Sequence, residues 1–394
     1  MNFALLIKPA SADCNLRCNY CFYLDRAALY PETRRHRMSE TVLDRLVRGY
    51  LASPQQSHTF IWQGGEPLLM GEAFYERVTD LQMAYGRRGA SVSNVLQTNA
   101  TLMTERLARH LRGAKFLTGV SLDGPAHLHD AARKDTGGQG THAQVMEGIA
   151  CLSRNQVPFN ILTLVSRHTV SHPLDIYEYL VKGVNATFLQ FIECVEPDGE
   201  GRAAPYSIGP EEWGSFLCAV FDRWYASDTR RVSVRLFDTI LAKIVTGQSI
   251  CCTAGTDCCQ YFMVEYNGDV YPCDFHAFPE LRIGNVMTHT WEEMAGSERY
   301  RAFGARKRHW HPACEACPYL RFCAGDCPKN RVGHTVGSAA ALSHLCAGWK
   351  TFYAYTLPRF ERLARTVRET RQPRHALETP VHIGHGQRPL FPAI

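Results

Sequence analysis

The chain has 394 residues, 45% of them apolar and 21% charged, a globular composition that excludes wholesale disorder. Its 43 basic and 38 acidic residues leave a formal charge of +5, too small to imply a nucleic-acid partner. No apolar run reaches the ~20 residues of a membrane-spanning helix, and the amino terminus lacks the long apolar centre of a signal peptide, so no membrane partner and a cytoplasmic location are expected.

Strands and helices alternate over residues 1–235. Residues 3–7 read as a strand, broken off by Lys8 and Pro9. Ser39 can cap a helix carrying Val42, Leu43, Leu46, Val47 and Tyr50 on one face. Strands follow at 59–62, 91–96, 116–122, 159–165 and 187–192. Helices fall at 74–85, from Thr104, at 142–152 and at 174–181. Six β/α steps imply a parallel sheet with covering helices, a partial or full barrel, with an open doubly wound sheet as the alternative. Polar segments fall where strands end: cysteines after the first, Gly64-Gly65-Glu66-Pro67 after the second, Gln97-Thr98-Asn99 after the third and Asp123-Gly124-Pro125 after the fourth. Barrels of this class build their sites there.

The pattern changes over residues 236–358, where cysteines, glycines and short strands dominate. A hairpin is expected over 264–271, turning at Asn267-Gly268, and a helix closes this second domain. Residues 359–394 are basic, with few apolar side chains, and are expected to form a poorly ordered tail.

The informative count is 16 cysteines. A chain this long needs no disulfide staples, and grouped cytosolic cysteines are more often metal ligands or catalytic thiols. Cys14, Cys18 and Cys21 place three soft ligands in one loop, which suits an iron–sulfur cluster with one open iron, or a zinc site completed from elsewhere. A later set comprises Cys252, Cys258, Cys273, Cys314, Cys317, Cys323, Cys327 and Cys346. Eight thiolates suffice for two fully ligated [4Fe–4S] clusters, though Cys314-x2-Cys317 alone fits zinc equally well. Spacing does not choose between Cys251 and Cys252 or between Cys258 and Cys259. Cys151, Cys194 and Cys218 stand alone and read as small buried hydrophobes.

The Cys14-x3-Cys18-x2-Cys21 spacing, with Tyr20 before the last cysteine, resembles the radical S-adenosylmethionine (SAM) superfamily. Gly64-Gly65-Glu66-Pro67 matches its next motif. Gly268-x4-Cys273 and the later cysteines look like its SPASM extension. The longer strings Cys21-Phe22-Tyr23-Leu24-Asp25, Trp62-Gln63-Gly64-Gly65-Glu66-Pro67, Ser121-Leu122-Asp123-Gly124-Pro125, Gln190-Phe191-Ile192 and Tyr271-Pro272-Cys273-Asp274-Phe275, with Gly284-Asn285, are together similar to anaerobic sulfatase-maturating enzymes.

The resemblance implies an α/β fold: a partial (β/α)6 barrel over 1–235 and a SPASM domain with a closing helix over 236–358. It implies three [4Fe–4S] clusters and SAM. Cys14, Cys18 and Cys21 would hold the SAM-binding cluster. Cys252, Cys258, Cys273 and Cys327 would hold one auxiliary cluster, and Cys314, Cys317, Cys323 and Cys346 the other. SAM would lie against Tyr20, Gly64, Gly65, Glu66, Ser121, Arg133 and Ile192, with Glu66 accepting from its ammonium, Ser121 near the ribose and Arg133 at the carboxylate.

The implied reaction is oxidation of one Ser or Cys of an unfolded or nascent sulfatase, in a segment followed two and four residues later by Pro and Arg, to Cα-formylglycine. A deoxyadenosyl radical takes hydrogen from the substrate Cβ, Asp274 takes the hydroxyl or thiol proton, and a second electron leaves through an auxiliary cluster. Tyr23 and Gln63 would lie near the substrate. A flavodoxin or ferredoxin would supply low-potential electrons.

Two other readings compete. A SPASM peptide maturase forming a thioether or carbon–carbon link often carries a leader-binding domain before the barrel, and only 13 residues precede Cys14, so none is expected at that end. A noncatalytic iron–sulfur or zinc scaffold would not need the intact SAM motifs.

Overall fold

The computed structural model describes residues 2–198, 200–332 and 341–371. Among them, ten strands form one sheet in the order β10-β9-β8-β1-β2-β3-β4-β5-β6-β7. The strands are β1 (Ala4–Lys8), β2 (Ser57–Trp62), β3 (Ser91–Thr98), β4 (Leu117–Ser121), β5 (Phe159–Val165), β6 (Phe188–Glu193), β7 (Ser233–Val234), β8 (Tyr261–Glu265), β9 (Asp269–Tyr271) and β10 (Gly284–Asn285). The run from β8 through β1 to β7 is parallel throughout. Its two end strands do not pair, so the barrel is partial.

Local chemistry accounts for the elements. Parallel strands covered on both faces need near-continuous apolar residues, and Leu5, Leu6 and Ile7 of β1 are all buried. Ser39 caps the helix Glu40–Ala52, its hydroxyl accepting from the Val42 amide at 3.3 Å. That helix buries Leu43, Leu46, Val47 and Tyr50. Thr104 does the same for Glu105–Gly113, accepting from Leu107 at 3.2 Å. The helix expected over 174–181 widens at its end: an α-helix at Pro173–Glu178 passes into a π turn at Tyr179–Gly183.

The sequence reading left one feature open and misread another. The cysteine-rich region does not build a sheet of its own. Its β8 pairs in parallel with β1, in the register Leu6↔Met263 and Lys8↔Glu265. Lys8 and Glu265, both buried, face each other across this seam at 3.7 Å, so the lysine that interrupts the first apolar run has its partner about two-thirds of the chain away. β8 and β9 form the expected hairpin, with Gly268 at φ +88° in the turn. The closing helix also runs through Pro358, from Cys346 to Arg371. Its Phe360 is fully buried and lies 4.8 Å, ring to ring, from Phe221 of the helix Pro210–Ser227. Tertiary packing of this kind holds a helix through a proline. Residues 359–371, assigned to a tail by composition, are therefore helical, and the rest of that assignment, 372–394, lies outside the described residues.

Candidate active site and metal centres

Most predicted groups of the barrel half sit on segments leaving the carboxyl ends of parallel strands, with Ser121 and Ile192 in the last residues of β4 and β6 and Arg133 just past the helix Ala126–Ala132. The loop after β1 carries Cys14, Cys18 and Cys21. They gather with Leu16, Tyr20, Ala132 and Cys194 in one small apolar nook beside the main core. Burial pushes the Cys14 thiol up to about 12, and burial likewise raises Cys18 and Cys21. Two N–H groups already face Cys14 Sγ: the Leu16 amide at 3.3 Å and Asn99 Nδ2 at 3.8 Å. Three soft donors in an apolar nook, with N–H groups aimed at one sulfur, fit an iron–sulfur cluster with one open iron, because a bound cluster supplies the positive charge that buried thiolates require. No three Cys, His, Asp or Glu side chains converge as a single metal ion would demand, among the described residues. All sixteen cysteines are free of disulfides.

The loop after β2 is pinned to this one. The Gly65 and Glu66 amides each donate at 2.8 Å, to the carbonyls of Ser11 and Asp13. A Cβ on Gly65 would stand 2.0 Å from the Asp13 carbonyl oxygen, so only glycine permits the approach. Glu66 is fully buried, and burial pushes its carboxyl up to about 7. Its oxygens accept from the Leu68 amide at 2.9 Å, the Thr98 hydroxyl at 2.8 Å and the Asn99 amide at 2.8 Å. Three of the roughly four acceptor positions of a carboxylate are thus used within the protein. Glu66 ties the turn to the end of β3, a task the sequence reading did not give it.

Arg133 also has a partner the sequence reading did not name. Its Nε and Nη2 donate to Asp123 at 2.9 and 3.2 Å, a fork on a carboxylate that is 0% exposed. The Tyr20 hydroxyl donates to the same carboxylate, and the Leu164 amide adds a bond at 3.0 Å. Asp123 therefore orients both Tyr20 and Arg133. Its signal was present as Asp123-Gly124-Pro125 at a strand end, but nothing local told a turn aspartate from a buried anchor. Ser121, at the end of β4, accepts from Gln97 Nε2 at 3.1 Å, and Ile192 lies half-buried on β6.

Tyr23, Gln63 and Asp274, separated by up to 251 residues, meet. Asp274 is 5% exposed. Its Oδ2 accepts from the Tyr23 hydroxyl and from Gln63 Nε2, each at 3.1 Å. Gln63 Nε2 lies 3.4 Å from the Tyr23 oxygen. The Lys8 ammonium stands over the Tyr23 ring at 4.4 Å, and Phe22 packs on Phe275 at 4.9 Å. A carboxylate held by two neutral donors, one from each barrel loop, has the fixed orientation that a proton acceptor needs.

The later cysteines fall into two neighbourhoods. Cys252 lies close enough to Cys273 and Cys327 to feel both, and Cys273 feels Cys327. Cys258 lies against Lys307 and Asp257, and Lys307 also faces Cys327, where burial pushes the thiol up to about 12. Cys314, Cys317, Cys323 and Cys346 together line a single cavity with Trp349 and Tyr353. Of the ambiguous pairs, Cys251 turns to the Thr253 hydroxyl at 3.2 Å, and Cys259 donates to the Tyr300 carbonyl at 3.3 Å.

A polar seam missed from sequence joins β6 to this region. Asn330 Nδ2 donates to Glu193 at 2.9 Å and to Asp326 at 3.0 Å. Asp326 also accepts from Ser343 at 2.6 Å and Trp349 at 3.1 Å. Lys329 pairs with Glu196 at 3.3 Å and stands 5.0 Å from the Phe275 ring.

Comparisons with known proteins agree with this geometry. The model of the radical SAM superfamily matches residues 9–180, and that of an iron–sulfur cluster-binding domain, SPASM, matches 252–318. The chain is 35% identical over 391 residues to a serine-type anaerobic sulfatase-maturating enzyme of Bacteroides thetaiotaomicron, covering 95% of this chain and 94% of the relative. It is 36% identical over 368 residues to a cysteine-type enzyme of Clostridium perfringens, covering 93% and 99%. A solved structure of native anSMEcpe with bound AdoMet and the Cp18Cys peptide superposes with a TM-score of 0.86 at 36% identity, covering 93% of this chain and 100% of that one. Streptococcus suis SuiB bound to its precursor peptide, at 15% identity and a TM-score of 0.63, shares the fold.

Proposed function

Because the chain belongs to the anaerobic sulfatase-maturating enzymes, a radical SAM family with a SPASM domain, we propose that it converts one Ser or Cys of a sulfatase polypeptide to Cα-formylglycine with Asp274 as the base. It is a radical SAM oxidoreductase with an iron–sulfur SPASM domain. Serine-type and cysteine-type relatives resemble it about equally, which agrees with one base serving both side chains. Its substrate is an extended segment of the Cys/Ser-x-Pro-x-Arg type. Its electrons come from a flavodoxin or ferredoxin, and it works in the cytosol, where sixteen unpaired cysteines stay reduced.

Three [4Fe–4S] clusters are held by Cys14, Cys18 and Cys21; by Cys252, Cys258, Cys273 and Cys327; and by Cys314, Cys317, Cys323 and Cys346. With SAM, the first supplies a hydrogen-abstracting radical. Tyr20, Gly64, Gly65, Glu66, Ser121, Arg133 and Ile192 form the SAM site. Within it Glu66 and Gly65 set the backbone of the turn, while Asp123 fixes the direction of Arg133. Asp274 takes the proton from the substrate hydroxyl or thiol, and Tyr23 and Gln63 keep its Oδ2 oriented. The cavity lined by Cys314, Cys317, Cys323 and Cys346 supports the second auxiliary assignment.

The observation that carries this reading is the convergence of Tyr23, Gln63 and Asp274. Asp274→Asn keeps the shape and removes the acceptor. Formylglycine should fall at least ~100-fold, the scale of a positioned general base, while cluster content and SAM cleavage persist. Normal peptide oxidation by that variant would refute the assignment.

A further inference from the structure

Lys307 lies in the short turn Arg306–Arg308 and is 0% exposed. Its ammonium donates to the Thr253 carbonyl at 2.9 Å and to the Asp326 carbonyl. Thr253 follows Cys252 and Asp326 precedes Cys327, so one side chain clasps two ligand segments assigned above to the same cluster. Carbonyl oxygens solvate an ammonium but do not cancel its charge. The Asp326 carboxylate is committed elsewhere, to Cys327 N, Asn330, Ser343 and Trp349. No ion pair among the described residues gives Lys307 a carboxylate. A second cation reinforces the first: Lys243, half-buried, donates to the Ala254 carbonyl at 2.5 Å. An uncompensated buried charge is costly and is normally paired or near a metal site. The titratable groups that interact with Lys307 are the thiols Cys258 and Cys327 of the assigned set, Cys323 of the other set, and the Lys243 ammonium.

We propose that Lys307 is a positioning residue for the oxidation: a fixed positive charge against the Cys252 and Cys327 segments that raises the reduction potential of the cluster they hold, so that this cluster accepts the substrate's second electron. The inference rests on the cluster assignment above. In the step it would serve, the substrate radical would give one electron to the oxidised cluster and one proton to Asp274, its C–O or C–S bond becoming a double bond. The thioaldehyde formed from Cys would then be hydrolysed by water to the aldehyde with release of hydrogen sulfide.

The test uses the full-length, anaerobically reconstituted enzyme and its Lys307→Met and Lys307→Arg variants, with iron counts and potentiometric titration followed by electron paramagnetic resonance. The wild type should carry about 12 irons; fewer would sink the cluster assignment rather than the role of Lys307. Lys307→Met should keep its iron and lose at least tenfold in the reduction equilibrium of an auxiliary cluster, about 59 mV for one electron. Lys307→Arg should restore it. An unchanged potential in Lys307→Met overturns the proposal, as does an equal shift in Lys307→Arg, which would mean that shape matters and charge does not. Loss of iron in Lys307→Met would make the residue a structural clasp and also overturns it. Lys243→Met, at the less buried site, should shift the potential the same way by less; no shift there with full iron would count against it.

Discussion

The two cysteine regions reach similar chemistry by opposite routes. Cys14, Cys18 and Cys21 hang from one strand end, on a scaffold whose strands and helices are long, regular and apolar inside. Most of the later ligands are drawn from loops and helical turns of three or four residues, with Cys346 at the start of the closing helix. They are held to one another by buried polar groups such as Asp326, Asn330 and Lys307. The first loop is therefore presented by a body that folds on hydrophobic burial. The second region shares that core through Phe262, Val264, Trp291 and Tyr300. Its ligand-bearing turns Pro312–Glu315 and Leu320–Cys323, however, bury no side chain, so those turns are expected to rely on their ligands, metal binding there being folding free energy.

The largest expected difference follows from that contrast. Replacing Cys14, Cys18 and Cys21 together with Ala should remove about four irons, a single cluster's worth, abolish SAM cleavage and leave the fold intact. Cys273→Ala should abolish product too, but should also make the region 252–332 sensitive to limited proteolysis. Equal protease resistance in the two proteins would break the comparison.

A methyl group on Gly65 is the next sharpest probe, since it meets the Asp13 carbonyl at 2.0 Å and forces the two loops apart. Gly65→Ala should weaken SAM binding at least ~tenfold, roughly 1.4 kcal/mol, without loss of auxiliary iron. Equilibrium binding reads this directly, and unchanged affinity would show that the loop has room. Tyr23→Phe removes one of two donors to Asp274. A hydrogen bond to a charged group contributes about 1.5–3 kcal/mol, and at the lower end of that range, with the Gln63 donor still in place, formylglycine formation should slow by roughly tenfold, less than in Asp274→Asn. A loss equal to that of Asp274→Asn would give the phenol a larger part than orientation.

The smallest effect at neutral pH belongs to His129, fully buried against Asp123. Its Nδ1 accepts from the Asp123 amide at 3.3 Å, and its Nε2 faces the Thr141 hydroxyl at 3.2 Å. Burial lowers its pKa from 6.5 to about 4. Neutral His129 is thus favoured in the folded state. Its contribution is fully present above pH 6.5 and is lost as pH falls towards 4, roughly 3 kcal/mol in all. His129→Gln should flatten the melting temperature across that window. A variant that keeps the wild-type acid slope would move the cause elsewhere.

Most of the barrel was legible because its signals are local. Caps at Ser39 and Thr104, apolar strands and the punctuation at strand ends each sit within a few residues of what they determine. Asp274 with Tyr23 and Gln63 was legible only through resemblance, since no spacing links residues 251 apart. What stayed hidden is long-range by nature. The seam of β1 and β8, the fork of Arg133 on Asp123, the pinning of Glu66 and the clasp of Lys307 are all tertiary partnerships of residues that look like ordinary surface charges in sequence. Pro358 misled for the same reason: packing of Phe360 on Phe221 outweighs the local break.

The central claim is that this chain oxidises the Cβ of a sulfatase Ser or Cys, and mass spectrometry of short unfolded peptides after anaerobic turnover tests it most directly. Peptides of the Cys-x-Pro-x-Arg and Ser-x-Pro-x-Arg type should lose about 18 Da from Cys or about 2 Da from Ser, the atoms removed in forming the aldehyde, in proportion to the 5′-deoxyadenosine released. A product of another mass, such as a stable loss of about 2 Da from a Cys peptide with no hydrogen sulfide released, which marks a crosslink rather than a thioaldehyde on its way to the aldehyde, or 5′-deoxyadenosine released with neither peptide changed, would contradict the account.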